Sequence, residues 1–416
     1  MAGRVAWGAV GRWAAVVLLV VSGWGCTAPA KGADRAARET AREIAATLDR
    51  RAAAVMHRDE RAYLAVVDPS ATALRAAARR EFGNLAEVPL GSWTYRLTDV
   101  ERSGDRATVR AELRHRIAGY DSAPVAEPRT LELRERAGRW YVTADLPGEG
   151  SGAQQLWEQG RVRAVRGAHS LVLGVGQDDA RLRAVADAAD AAVPAVADAW
   201  PDGWARREVL LVPASSEAMA RLLGASTDGY RDIAAVTTGI SADGSGTPGA
   251  SPADRIVVNP TAYDTLGTFG QHVVLTHETT HVATRAATSA ATPLWLSEGF
   301  ADWVAYRGTD RTAERIAPEL QRAVRAGDTP AALPSDEDFA FGAGADRLAR
   351  AYESGWLACE LIAGRWGERK LTGFYRAVGA HAGRDGAVED ALHTVLATTP
   401  EDFTARWRDY LRQRLG

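Results

Sequence analysis

His272-Val273-Val274-Leu275-Thr276-His277-Glu278-Thr279-Thr280-His281-Val282, followed by Pro293-Leu294-Trp295-Leu296-Ser297-Glu298-Gly299-Phe300-Ala301-Asp302-Trp303, is the stretch from which the rest of this chain is read. Its first segment holds an H-E-x-x-H pattern, His277-Glu278-Thr279-Thr280-His281, between apolar residues that favour a helix. Residues four apart lie one turn above each other on one helix face, so both imidazoles can reach a single zinc ion. Glu278 follows the first histidine directly, and its carboxylate flanks the same point. Chance produces such a pattern in a chain of this length about one time in a hundred, and two histidines satisfied by ordinary hydrogen bonds are the plainer reading of it alone.

The second segment changes that balance. Sixteen residues separate His281 from Glu298, enough to end one helix, cross a short loop over 289–293 and return on a second, antiparallel helix. Glu298 then supplies a third protein ligand. Three protein ligands and one open corner are the mark of a catalytic rather than a structural zinc. Asp302 lies four residues after Glu298 on the same face, where a carboxylate can accept the outer N–H of a ligating histidine and fix its tautomer. His272 lies five residues before His277, about 140° around the helix, and is not expected to be a ligand. His57, His115, His169, His381 and His393 stand alone and are given no metal role.

His277-Glu278-x-x-His281 with Trp295-Leu296-x-Glu298-Gly299-x-Ala301-Asp302 resembles the gluzincin zinc metallopeptidases. It is most similar to the peptidase-MA-like domains of bacterial secreted proteins, with thermolysin and the clan's aminopeptidases more distant. The specific part of the likeness is 272–303, within a wider resemblance over 165–413. It implies one zinc ion held by His277, His281 and Glu298, Glu278 as general base, and Asp302 as the partner of His277. It also implies a water of lowered pKa that attacks a peptide carbonyl. The oxyanion formed needs a further donor. In related enzymes a tyrosine on a later helix provides it, and Tyr352 in Arg350-Ala351-Tyr352-Glu353-Ser354-Gly355-Trp356 takes that place; its other reading is a core tyrosine. Tyr306 is the second choice, because it sits on the Glu298 helix, where packing is the default use of an aromatic. A strand at Arg255–Asn259 is either the cleft-lining edge strand of this clan, which pairs with extended peptide, or an ordinary strand of the sheet. No Gly-x-Met-x-Asn exopeptidase pattern precedes the motif, so endopeptidase is preferred over aminopeptidase.

Working outward, the fold class expected is an α+β N-terminal domain followed by a thermolysin-like zincin domain, the latter a mixed α/β sheet subdomain with a mainly helical C-terminal subdomain. Residues 165–416 carry the zincin reading: strands at Leu171–Gly174, Val209–Val212, Ile233–Thr237 and Arg255–Asn259, a helix over Ala180–Trp200 that Pro194 is set to kink or end, a helix over Ser216–Leu223, a mobile loop at 239–252, and helical periodicity from 267 onward. Residues 148–164, opening with Pro147-Gly148-Glu149-Gly150-Ser151-Gly152, read as a linker. Residues 39–147 read as two helical stretches, 39–67 and 71–87, and then four alternating strands joined by turns. That order is similar to the cone-shaped nuclear-transport-factor-2-like fold, with no residue motif behind the likeness. Residues 26–38 read as a tether.

Residues 1–25 read as a signal peptide: Arg4 and Arg12, then an apolar run of nine residues from Trp13 to Val21, short for a spanning helix. Cys26 in Ser22-Gly23-Trp24-Gly25-Cys26 resembles a bacterial lipoprotein cleavage site, although Gly23 stands where an aliphatic residue is preferred. The protein is thus expected to be exported, either lipid-anchored on the membrane or secreted. Cys359, the second of two cysteines, reads as a buried core residue. The 416 residues carry 50 basic and 53 acidic side chains, a net charge of -3 that leaves no electrostatic footprint for nucleic acid. The partner expected is a peptide or protein substrate. The rival reading is a non-catalytic cell-envelope binding or assembly lipoprotein that retains its zinc.

Overall fold

The computed structural model describes residues 30–148, 153–240, 253–340 and 344–416. The expected signal segment, Cys26 and nearly all of the expected loop at 239–252 lie outside them. The chain is mixed α/β, with two sheets and many helices. Among the described residues no helix is long and apolar enough to cross a membrane.

The N-terminal unit opens with α1 (Ala30–Met56), α2 (Glu60–Ala65) and α3 (Thr72–Asn84). Residues 30–38, expected as a tether, are therefore helix. Their run of alanine and charged residues suits a helix better than a coil, because such residues lose little on adopting it. Strands β1 (Leu90–Ser103), β2 (Arg106–Ile117), β3 (Val125–Arg136) and β4 (Arg139–Pro147) follow as an antiparallel meander. The last hairpin turns at Ala137 and Gly138, both at positive φ (48° and 73°), as a tight turn between twisted strands requires. Along β2, Ala107, Val109, Ala111 and Leu113 are buried while Arg106, Thr108 and Arg110 face water. Helix α1 covers the buried face, packing Ile44 and Leu48 with Val109, Leu131, Leu133 and Val142.

After α4 (Leu156–Gln159), the second sheet comprises β5 (Val162–Arg166), β6 (Ser170–Val175), β7 (Glu208–Val212), β8 (Ala235–Ile240) and β9 (Ala253–Val258), in the order β5-β6-β7-β9-β8. Strands β6, β7 and β9 are parallel; β5 and β8 run antiparallel to their neighbours. Every residue of β6 is buried, because both faces of the sheet are covered. One face packs on α5 (Asp179–Ala199) and α8 (Thr268–Thr284) through Val172, Leu210 and Ile256 against Leu182, Val185 and Leu275. Helix α5 runs through Pro194 without ending there. The short helices α6 (Ser216–Leu223) and α7 (Pro260–Thr265) flank β8 and β9 in sequence.

The other face of this sheet packs on the N-terminal unit. Leu171, Leu173 and Val209 share one core with Leu64, Trp93, Leu113 and Ile117. The stretch 148–164 is accordingly no free linker: Leu156 and Trp157 are buried in that same core, Asn84 donates to the Trp157 carbonyl (2.7 Å), and β5 begins at Val162. The glycine-rich start hid this apolar anchor. Asp121, between β2 and β3, forms a buried two-pronged ion pair with Arg255 of β9 (2.7 and 2.8 Å).

The rest is helical: α9 (Leu294–Tyr306), α10 (Ala313–Ile316), α11 (Pro318–Arg325), α12 (Ala345–Trp366), α13 (Glu368–Gly379), α14 (Ala387–Leu396) and α15 (Pro400–Leu415). Their core gathers Trp200, Trp295, Phe300, Phe374, Tyr375, Phe403 and Trp407, with Cys359 fully buried among them. Helices α9 and α12 touch backbone to backbone: a Cβ on Gly299 would sit 2.3 Å from the Gly355 carbonyl, and one on Gly355 would sit 2.6 Å from the Trp295 oxygen. Backbone cannot yield as a side chain does. Gly299→Ala and Gly355→Ala should each lower stability by at least ~1–3 kcal/mol in urea denaturation. Gly364→Ala on the exposed end of α12, where a Cβ meets nothing within 4 Å, should instead be neutral or stabilising by up to ~1 kcal/mol. Equal effects at Gly355 and Gly364 would contradict this reading of the helix contact.

Candidate metal centre

Helix α8 is rich in threonine, a poor helix former, yet it is regular. The hydroxyls of Thr279, Thr280 and Thr284 donate to carbonyls one turn back (2.7, 2.8 and 2.9 Å), which satisfies these buried groups without breaking the helix. Fixed against the sheet by Leu275, the helix turns His277 and His281 toward α9. Leu296 and Phe300 of α9 are fully buried in the helical core, which directs Glu298 and Asp302 back to α8.

Nε2 of His277 and Nε2 of His281 lie 3.0 Å apart. Oε2 of Glu298 lies 3.2 Å from the first and 3.4 Å from the second. A tetrahedral ion with bonds of about 2.0–2.1 Å spaces its ligand atoms about 3.3 Å apart, so this triangle fits zinc with almost no rearrangement. Among the described residues it is the one group of such donors. Nδ1 of His277 lies 2.7 Å from Oδ1 of Asp302. A carboxylate only accepts, so the ring proton sits on Nδ1 and the Nε2 lone pair is left for a metal.

Electrostatics favour a positive charge here. Burial opposes a charged His277, but the Asp302 and Glu298 carboxylates outweigh it and raise the ring well above the ordinary histidine value. Burial likewise opposes a charged Glu298, and His281 and His277 overcome it, holding that carboxyl well below its ordinary value. A proton or a divalent cation answers the same field.

Glu278 is buried, and the Thr237 hydroxyl on β8 lies 2.6 Å from its Oε2 and 3.0 Å from its backbone oxygen. No sequence signal pairs that strand threonine with a helix residue 41 positions on. Strand β9, which contains Arg255–Val258, lies between β7 and β8, so the edge strand is β8 and the ordinary-strand reading of 255–259 holds. It is β8 that folds back antiparallel on β9 and reaches the motif helix.

The Tyr352 ring on α12 stands 6.4 Å from the His277 ring and 5.2 Å, edge-on, from Phe339. Burial, then the carboxylates of Glu298, Asp302 and Glu278, raise its phenol well above the ordinary value, so it is a protonated donor. Tyr306 packs on Trp356 (5.8 Å between rings) and Phe269 (6.4 Å), on the Asp302 side of the site. His272, His57, His115, His169, His381 and His393 lie outside the donor group. No family model matches this chain, and no curated protein matches it.

Replacing Asp302 by alanine should weaken zinc binding about 10–100-fold, read by competition with a chromophoric chelator. Unchanged affinity would remove Asp302 from the site.

Proposed function

We propose that this chain is a zinc-dependent peptide hydrolase of the gluzincin type, peptidase-MA-like, working outside the cytoplasm. The observation that carries the reading is the triangle of His277, His281 and Glu298 donor atoms, with His277 held by Asp302 and Glu278 one residue along the same helix. The five-stranded sheet with its helical partner then corresponds to a thermolysin-like zincin domain, and the helix-plus-meander unit to a nuclear-transport-factor-2-like cone. Export by a signal segment over 1–25, with a lipid anchor at Cys26 or none, belongs to the same reading.

Zinc, when bound by the three ligands, acidifies water and polarises a carbonyl. The chain's own residues do the rest. The Glu278 carboxylate takes the proton of the attacking water and delivers it to the leaving amine. Thr237 donates to Oε2 of Glu278 and so holds the carboxylate's orientation. Tyr352 donates its phenolic proton in a hydrogen bond to the developing oxyanion. Among the described residues no strand pairs with the outer side of β8, and that side is suited to pair with an extended peptide, which brings a scissile bond toward Glu278. This suits an internal peptide bond, so endopeptidase is preferred.

Glu278→Gln should retain zinc at wild-type stoichiometry and lose hydrolysis of a peptide library by about 10²–10⁴-fold. Tyr352→Phe should lower kcat about 10²–10³-fold with little change in KM. A chelator should silence the wild type, and added zinc should restore it. If wild type and Glu278→Gln are equally inactive over a broad library while both hold zinc, the chain is instead a binding or assembly protein with a retained metal.

A further inference from the structure

A cleft of about 380 Å³ lies beside the metal centre, between the second half of α9 and the first turns of α12. That is within the ~300–1,000 Å³ usual for a pocket that takes an organic group. Two of its walls are groups already placed at the metal donors. Asp302 holds Nδ1 of His277 at 2.7 Å, and the Tyr352 ring stands 6.4 Å from the His277 ring. A side chain seated in the cleft therefore belongs to a residue whose backbone lies close to those donors.

The rest of the wall is mostly apolar. Tyr306 packs on the buried Trp356, and Ile316 of α10 with Leu348 and Ala349 of α12 completes the cleft. Ile316, Tyr306 and Leu348 are only partly buried, so apolar surface beside the site is left in water, and an apolar occupant would cover it. Burial, with the charges of Asp302 and Glu353 adding to it, pushes the Tyr306 phenol up to about 12, so that wall is neutral. The two carboxyl groups on the cleft are already answered. Asp302 has His277, and Glu353 accepts from the backbone N–H groups of Glu319 (3.3 Å) and Leu320 (2.6 Å). Neither calls for a cation from the occupant. Among the described residues none that lines the cleft is basic, so an acidic side chain finds no partner there.

We propose that this cleft selects the substrate by taking one large apolar side chain, phenylalanine or leucine, from a residue at the scissile bond. The inference rests on the peptidase reading and adds Ile316, Leu348 and Ala349 as the residues that set its preference. Strand β8 meets the site at Glu278, while the cleft meets it at Asp302 and Tyr352. Backbone and side chain of one peptide are then gripped by different elements. A methylene that fills such a pocket changes discrimination by about 10–200-fold, so a residue as small as alanine is poorly held.

The test uses capped peptides Ala-Ala-X-Ala-Ala, with X as Phe, Leu, Ala, Lys or Asp, on the full, zinc-loaded chain. Hydrolysis is measured on the wild type, and binding by calorimetry on Glu278→Gln, which holds the peptide without cutting it. Phe and Leu are expected to exceed Ala, Lys and Asp by at least about tenfold in both measurements. Ala349→Trp, which fills the cleft, should reduce the preference for Phe over Ala to about twofold or less. Leu348→Ala, which removes apolar wall and fills nothing, should lower it too. Metal analysis should find zinc at wild-type stoichiometry in both variants, which separates a changed pocket from a misfolded chain. Binding with the expected preference but no hydrolysis supports the pocket and overturns the peptidase reading. Hydrolysis without the preference, a preference for Lys, or one that survives Ala349→Trp overturns the pocket and leaves the peptidase reading standing. Peptides that are neither bound nor cut overturn the pocket as well.

Discussion

Three carboxyl groups and two imidazoles are held largely out of water where α8 meets α9, and this is tolerable only because they answer one another's charge. Glu298 alone, buried at 6% exposure, would be expelled or protonated. Set within 3.4 Å of two imidazoles, it stays ionised, and Asp302 does the same for the far side of His277. The arrangement tolerates little play: the attraction that offsets desolvation falls away once the groups part. The fold supplies rigidity on both sides. Leu275 fixes α8 on the sheet, and the glycine contact clamps α9 against α12. Gly355 lies three residues from Tyr352, so the contact that secures the Glu298 helix also sets the height of the phenol above His277.

The same demand explains the N-terminal unit's place. A sheet that carries α5 and α8 on one face must bury its other face as well, and here the N-terminal helices and meander do so. Arg255 shows how tightly the two parts are joined. It lies on β9 between the N-terminal Asp121, which it grips, and the strand β8 that carries Thr237. Removing that aspartate would strand a buried guanidinium, a cost of about 3–5 kcal/mol. The unit shares a core with the second sheet rather than being a module hung beside it.

Much of this was legible from residues. His277, His281, Glu298 and Asp302 were readable because helix geometry converts sequence spacing into a face, and β6 because strands buried on both sides read as continuous apolar runs. The four meander strands were readable from their alternation. What failed to show was whatever depends on pairing between distant segments. Thr237 meets Glu278 only because β8 folds back as the edge strand, and no local pattern ranks β8 outside β9. Gly299 and Gly355 each read as an ordinary helix glycine until the two helices are crossed. The expected linker misled because Pro147-Gly148 is a real stop, while the burial of Trp157 depends on partners in β1 and β2.

The placement of Glu278 bears on whether such a site would be used or merely kept. A structural zinc is closed by four protein ligands. Here three donors converge, and the one further carboxylate nearest them in sequence is engaged by a threonine on the edge strand instead of joining the donor group. A hydroxyl that holds a carboxylate beside a metal position, leaving its second oxygen uncommitted to that bond, has little purpose in a closed site. Under the hydrolase reading proposed above, that oxygen is the one that meets a proton. Tyr352 follows the same logic: a phenol kept protonated by burial first, and then by three neighbouring carboxylates, is a donor in a region otherwise made of acceptors. Glu278 and the two histidines of α8, Glu298 of α9 and Tyr352 of α12 are thus brought to one place by three separate helices.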